Sequence, residues 1–154
     1  MPKVIKPAGF AAPLGLYSPG MAVAAGEIVA VAGMTGIDGA GRIAGADVGA
    51  QTKQALANVK AVVEAAGCTM RDVIRLQTFL TSADDIAGFM KARQEVFAVE
   101  FPGGPYPTNT LLVVSALAQP ELRVEIEAMA VKPLRAAARR RVNPAKRAGR
   151  GRRR

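Results

Sequence analysis

The sequence predicts an α+β domain with the element order ββαβαββ, in which two helices pack on one face of a sheet. Apolar residues recur at helical spacing in two segments, 47–66 and 84–100, and a strand-like segment separates them. The strand-like segments are 28–32, 71–81, 109–117 and 122–131. Half of the 154 residues are hydrophobic, so the chain is long enough and apolar enough to bury one core of this kind.

The first strand is the short apolar run Ile28–Ala32, which lies between Gly26 and Gly33. The segment 37–43 contains Asp-Gly and a further glycine, which indicates a turn between extended pieces. These glycines lack the G-x-G-x-x-G order of a dinucleotide-binding loop, and the Gly-Lys-Ser/Thr of a P-loop is also missing. A plain turn therefore accounts for the segment without a phosphate ligand.

Both predicted helices carry signals at their ends. Asp47 is placed to cap the first helix, and Gly67 follows the last turn, where a left-handed C-terminal cap favours glycine. At the start of the second helix, Asp84 and Asp85 are expected to satisfy free N–H groups and to oppose the helix dipole. We interpret this acidic pair as a helix cap rather than as a general acid and base.

Segment 109–117 is apolar on both faces, with Leu111 and Val113 on one side and Leu112 and Val114 on the other. Two helices cover only one face of such a sheet, so the second face predicts an interaction surface. Self-association is the simplest way to bury it.

Segment 122–131 alternates instead, with Val124 and Ile126 on one side and Arg123, Glu125 and Glu127 on the other. Two carboxylates and one arginine are thus expected on a single strand face. A surface ion pair between the first two charged residues, Arg123 and Glu125, is the simplest arrangement.

Charge divides the chain into two parts. Residues 135–154 contain ten of the 21 Lys and Arg residues and no acid, which leaves 11 basic and 12 acidic residues in residues 1–134. Residues 1–134 are nearly neutral and are predicted to form the domain. One valine is the only large aliphatic residue in 135–154, so we expect a disordered polybasic tail there.

Missing residue types narrow the possible chemistry. The chain has no histidine, which excludes His-dependent triads, most zinc sites and the usual proton shuttle at neutral pH. Cys68 is the only cysteine, so no internal disulfide is possible. No apolar run approaches the roughly 20 residues of a membrane-spanning helix, and Pro7, Gly9 and Pro13 make the N-terminus a poor signal peptide. We expect a cytoplasmic protein without a membrane partner.

Three groups of residues are similar to one known family. Segment 55–67 is similar to its first helix, segment 124–131 to its last strand, and Tyr17, Gly20 and Gly33 match positions near its N-terminus. Over nearly all of residues 8–132, the chain resembles the RidA/YjgF family of reactive-intermediate deaminases. The resemblance implies a chorismate-mutase-like fold and a homotrimer that binds a small molecule in each of three clefts between subunits.

The resemblance also implies a reaction and its residues. Deaminases of this family hydrolyse enamine or imine derivatives of amino acids to keto acids and ammonia, without a metal or an organic cofactor. Glu125 matches the glutamate that helps to place the attacking water, and it is the candidate catalytic residue. Tyr17 and Gly33 match the tyrosine and the glycine backbone that complete the substrate site. The residues alone allow plainer roles. Tyr17 could anchor the N-terminal segment through its hydroxyl, Glu125 could lie on a solvated strand face, and Gly33 could serve only the shape of the backbone.

Position 109 departs from the family's pattern. The family's Pro-Ala-Arg-Ser/Thr corresponds to Pro107-Thr108-Asn109-Thr110, so Asn109 stands where an arginine grips the substrate carboxylate. An arginine forms two charge-assisted hydrogen bonds with a carboxylate, whereas an asparagine side chain suits an amide or a hydroxyl. Asn109 is therefore expected to bind a different group, unless Arg123 compensates, and deaminase activity on simple imines is expected to be weak.

Two hypotheses follow. The first is a RidA-like hydrolase or small-molecule-binding trimer that acts on a substrate other than a simple α-imino acid. The second is a nucleic-acid-associating protein that acts through residues 135–154 by phosphate contacts without base readout, the alternative being a solvated tail without a partner. Some members of the family have been described as ribonucleases, but this chain has no histidine or catalytic lysine cluster for that chemistry.

Overall fold

The computed structural model describes residues 2–134, and the predicted polybasic tail lies outside the described residues. Two α-helices are present in this range, α1 (Val48–Ala65) and α2 (Ile86–Glu100). The six strands are β1 (Lys3–Ile5), β2 (Gly20–Ala22), β3 (Gly26–Thr35), β4 (Val73–Leu80), β5 (Thr108–Val113) and β6 (Val124–Pro133).

Four of the strands form one mixed sheet in the order β3-β6-β4-β5. β6 is antiparallel to both β3 and β4, whereas β5 runs parallel to β4 at the edge. Both helices pack on one face of this sheet, and the core between them contains Leu56, Val59, Leu76, Phe89 and Ile126. The predicted α+β class, with two helices on one sheet, is confirmed.

The N-terminal strands differ from the predicted pattern. β2 pairs with β1 in a separate two-stranded sheet. Of the three strands described before α1, β3 is therefore the one that joins the main sheet. The predicted turn at 37–43 is present, but its extended flanks are reduced to a single bridge between Ile37 and Ile43. The Asp38 carboxylate accepts hydrogen bonds from the backbone N–H groups of Ala40 and Arg42, which holds the turn.

Both predicted end signals of α1 are confirmed. The Asp47 carboxylate accepts a hydrogen bond from Ala50 N at 2.8 Å, which satisfies one free N–H group at the helix start. Gly67 has φ +78°, the left-handed conformation that ends a helix and that favours glycine.

The start of α2 differs from the prediction. The Ser82 hydroxyl, rather than an aspartate, accepts a hydrogen bond from the Asp84 backbone N–H, and a short 3₁₀ turn leads into the helix. Asp85 makes no side-chain cap and instead accepts hydrogen bonds from Arg123 Nη1 at 2.8 and 3.0 Å. The prediction that the paired acids cap α2 was therefore wrong, because one of them forms a long-range ion pair instead.

The last two strands are confirmed with changed bounds. β5 ends at Val113, four residues before the predicted end at Leu117. β6 begins at Val124, and its first seven residues alternate between buried and partly exposed side chains as predicted. On β5, Leu112 is 43% exposed on the face away from the helices, so part of the predicted apolar second face is present.

Within residues 2–134, neither helix has the length and hydropathy that a membrane crossing requires.

Candidate functional site

Gly33 and Glu125 lie against each other on adjacent strands. The pairing of β3 with β6 is irregular between Val31 and Met34, and it places Thr35 opposite Glu125. A Cβ atom at position 33 would lie 1.6 Å from Glu125 Oε1, so any side chain there would displace the carboxylate. Glycine is thus required by the close approach of a carboxylate to the backbone.

Glu125 projects from the sheet face that the helices leave open. Its strand neighbours Val124 and Ile126 are buried on the helix side, whereas Glu125 is partly exposed. The opposite residue on β4 is Phe79, which supplies an apolar neighbour on the same face. Within residues 2–134 the Glu125 carboxylate forms no salt bridge, so it is available to accept a hydrogen bond from water or a ligand.

Asn109 lies at the opposite edge of the sheet. It stands opposite Leu76 on β4 and therefore points to the helix side, where its Oδ1 accepts a hydrogen bond from Thr78 Oγ1 at 3.0 Å. This contact leaves the Nδ2 group as the part of the amide that can donate to a ligand. β4 stands between β5 and β6, so Asn109 is about two strand spacings, ~10 Å, from the strand of Glu125.

Tyr17 belongs to the same edge as Asn109. The next residue, Ser18, donates its backbone N–H to Pro107 O at 3.2 Å and its hydroxyl to Tyr106 O at 2.6 Å. These two bonds fix the segment that carries Tyr17 beside the start of β5. The four predicted site residues thus form two groups, Gly33 with Glu125 and Tyr17 with Asn109, and a single chain does not bring the groups together.

Arg123 has neither of the roles considered from the sequence. It precedes β6, and its guanidinium pairs with Asp85, whose side chain is almost fully buried. Its backbone N–H donates to Gln51 Oε1 at 2.8 Å. The expected surface pair with Glu125 was wrong, and an arginine bound in this way does not replace the one missing at position 109.

Arg93 is the residue near this edge that sequence reasoning missed. It lies on α2 between Phe89 and Phe97, one helical turn from each, and its guanidinium carbon is 5.2 and 5.6 Å from the two ring centroids. Arg93 is buried, and burial lowers the pKa of its guanidinium. The sequence did contain a signal for this burial. Arg93 stands four residues from each of two core phenylalanines, so it falls on the apolar stripe of the helix.

No set of three or more Cys, Asp or Glu side chains in the described part of the chain is grouped as metal ligands would be. Among the residues described above, carboxylate, amide, phenol and guanidinium groups are the polar chemistry at the two edges.

The sequence and the fold both match one known family. The family model described as Endoribonuclease L-PSP matches residues 9–132. The chain belongs to the RidA/YjgF family. It is similar to a RutC family protein of Pyrococcus horikoshii, with 38% identity over 121 residues that cover 78% of this chain and 90% of the relative.

Two further RidA/YjgF relatives cover almost their whole length. A 2-iminobutanoate/2-iminopropanoate deaminase of Salmonella typhimurium is 33% identical over 132 residues, which are 86% of this chain and 99% of the relative. The crystal structure of a Rid family protein, YyfB of Yersinia pestis, has a TM-score of 0.75 and 33% identity, and the match covers 84% of this chain and 98% of that one.

Proposed function

We propose that this RidA/YjgF member is a small-molecule hydrolase, or a binding protein derived from one, whose clefts form between the copies of a homotrimer. The observation that carries the proposal is the contact of Glu125 with Gly33, in which a carboxylate without an ion-pair partner in residues 2–134 lies against partly exposed backbone on the open sheet face. In each cleft, one copy contributes Gly33 and Glu125, and its neighbour contributes Tyr17 and Asn109. The separation of these two groups within one chain supports the need for a neighbour.

In this proposal Glu125 acts as the general base. A carboxylate within hydrogen-bond reach of a water molecule takes its proton as the water attacks the imine carbon, and general-base help of this kind contributes roughly 10²- to 10⁴-fold in rate. Glu125 passes this proton to the imine nitrogen, which gives a tetrahedral intermediate with a hydroxyl and an amino group on the same carbon. The hydroxyl proton then reaches the nitrogen in the same way, the C–N bond breaks, ammonia leaves and the carbon becomes a carbonyl. Tyr17 and the Asn109 amide orient the substrate.

Asn109 determines the expected substrate range. The Salmonella relative is named for 2-iminobutanoate and 2-iminopropanoate, both α-imino carboxylates. At position 109 this chain offers a neutral amide, half of which is already bonded to Thr78. We therefore propose a substrate other than a simple α-imino acid, with weak activity on such imines.

The test is the release of keto acid and ammonia from freshly generated 2-iminopropanoate. The unmodified protein should give a rate close to that of buffer, and Asn109→Arg should raise it because a guanidinium at this position binds the carboxylate. Val99→Arg is the matched control, since it adds the same charge at a highly exposed position of α2, away from the open sheet face.

Adding Glu125→Gln to the Asn109→Arg variant should remove the gained activity, because an amide is not a base. Hydrolysis by the unmodified protein at the rate of the Salmonella deaminase would contradict the role assigned to Asn109.

The charge of residues 135–154 supports a second candidate function. Ten basic residues and no acid in this segment favour association with nucleic acid through phosphate contacts. Affinity for single-stranded RNA should fall ~10³-fold between 50 and 200 mM salt, with little sequence preference. Removing the residues after Pro133 should abolish binding without changing the folding of the domain. RNA binding that survives the truncation would refute this function for the tail.

A further inference from the structure

The two helices leave a groove between them on the side away from the sheet. It has a volume of about 440 Å³, and we call it the interhelical groove. Its apolar lining consists of Leu56, Ala57, Val96 and Val99. Val99 is 75% exposed, so an apolar side chain in this groove faces solvent.

Both helices end at the same end of the interhelical groove. Lys53 pairs with Glu95, and further along both helices Lys60 pairs with Glu100, so α1 and α2 run in the same direction. Neither helix has a basic residue in its last turn. The free carbonyl groups at a helix C-terminus carry partial negative charge, which a cation stabilises. Two such ends lie side by side here without a basic side chain in their own last turns.

Acidic side chains add to the negative charge at this end of the groove. Lys60 Nζ lies 2.7 Å from Glu100 Oε1 and 3.9 Å from Glu64 Oε1, so one lysine serves two carboxylates. Glu64 is exposed in the last turn of α1. Two other cations of the described residues, Lys132 and Arg71, are bonded elsewhere and contact neither carboxylate. This end of the groove can therefore accept a further cation.

The polybasic segment of the chain begins at the same end of the molecule. Lys132 lies against the turn that follows α1, because a Cβ atom at Gly67 would be 3.4 Å from its Cε atom. Leu134, the last described residue, is exposed. Residues 135–142 contain four arginines and the one valine of the tail, Val142. Eight residues span up to about 27 Å when extended, which is about the length of α1, so this segment can reach the whole groove.

We propose that residues 135–142 dock in the interhelical groove of their own chain. Arginines of the segment bind Glu64, Glu100 and the carbonyl ends of the helices, and Val142 covers Val99. So short a tether keeps the segment at a millimolar effective concentration, so a weak contact is enough to hold it. The proposed trimer uses the opposite side of the sheet and leaves each groove open. Docked arginines are withheld from other anions, and docking needs neither hydrolase activity nor a nucleic-acid partner.

Disulfide trapping tests the docking in the full-length protein. With Val99→Cys and Val142→Cys in one chain, mild oxidation should form a disulfide within that chain, which peptide mass mapping identifies. The native Cys68 is buried, so it should not compete. Arg42→Cys combined with Val142→Cys is the matched control. Arg42 is highly exposed in the turn that precedes α1, at the other end of the helix, and this pair should give little disulfide.

Charge reversal tests the ion pairs. Glu64→Lys in the trapping variant should lower the disulfide yield about twofold or more, because a repelling cation replaces an attracting carboxylate. A lysine in the last turn suits the helix dipole, so this variant should keep the fold. Asp84→Lys makes the same charge change at the start of α2 and should leave the yield unchanged. Raising NaCl from 50 to 500 mM should also lower the yield, because salt screens exposed pairs.

Equal yields for the Val99 and Arg42 pairs, or a yield that Glu64→Lys leaves unchanged, overturn the inference. A disulfide between two chains also overturns it and places the segment on a neighbouring copy. Single-stranded RNA at low salt should lower the yield, since phosphates compete for the arginines. Trapping that RNA does not change would leave the docking intact and contradict only the nucleic-acid function. RNA binding without trapping would do the reverse.

Discussion

Gln51 shows how much one buried amide contributes to the geometry near the sheet. Its side chain is 0% exposed, its Nε2 donates to Gly45 O and Glu121 O, both at 2.9 Å, and its Oε1 accepts from Arg123 N. A single side chain of α1 therefore joins two loops that are 76 residues apart. All of its hydrogen-bonding partners are backbone groups, so no other side chain marks this contact in the sequence.

We expect Gln51→Leu to lower the free energy of unfolding by about 2–4 kcal/mol, because it leaves backbone groups unpaired inside the structure. Gln54→Leu is the control on the same helix, since Gln54 bonds only to the Asn58 side chain, and it should cost less than about 1 kcal/mol. Urea unfolding followed by circular dichroism measures both. Equal losses in the two variants would show that Gln51 does not join the loops in this way.

The residue predictions succeeded where the physics is local. Asp47 and Gly67 were identified correctly because a cap involves groups within three or four residues. Asp85 and Arg123 were misassigned because their partners are 38 residues apart, and sequence spacing carries no information on such a pair. Arg93 was missed although its helical position was a signal, because the Gly15 backbone that lies against it is far away in the sequence.

At the scale of elements, the bounds were predicted accurately for a helix that packs along its length, and less accurately for an edge strand and for very short strands. The first helix was predicted at 47–66 and is observed at Val48–Ala65, because its apolar stripe packs against β3, β6 and α2. β5 was predicted too long, since an edge strand pairs on one side only and its apolar sequence continues after the pairing ends at Val113. β1 and β2, with three residues each, are too short for a periodicity to be recognised.

The ion pairs between the helices were not predicted either. Lys53 binds Glu95 at 2.6 Å and Lys60 binds Glu100 at 2.7 Å across the outer surfaces of α1 and α2. Both lysines lie on the side of α1 away from its apolar stripe, but the register between two helices follows from the packing of the core and is not encoded in the spacing of one helix. Thus the class of the fold and the strand of Glu125 were predictable, whereas contacts between elements were not.

At the scale of the whole molecule, we expect a homotrimer. The sheet face away from the helices carries exposed apolar side chains, and Ile28 on β3 is 67% exposed. Light scattering at micromolar concentration should give about three times the monomer mass, because a C₃ ring buries this face in each copy. A monodisperse monomer would remove the proposed clefts.

A substitution on the open face provides the matched comparison. Leu112→Glu should weaken the trimer, since it places a charge on the exposed part of β5. Val99→Glu should leave the mass unchanged, because Val99 is 75% exposed on α2, on the other side of the molecule. The same mass for both variants would place the interface elsewhere.

The separation of the two residue groups also bears on inheritance. Gly33 and Glu125 lie at one edge region and Asn109 at the other, so in the proposed ring no copy owns a complete cleft. A chain with a substitution at Glu125 still contributes an intact Asn109 to the cleft that it shares with its neighbour. When two differently damaged chains, one at each position, assemble at random in equal amounts, about a quarter of the clefts regain both intact halves. Two alleles that are each inactive alone would therefore partly rescue one another in the same cell.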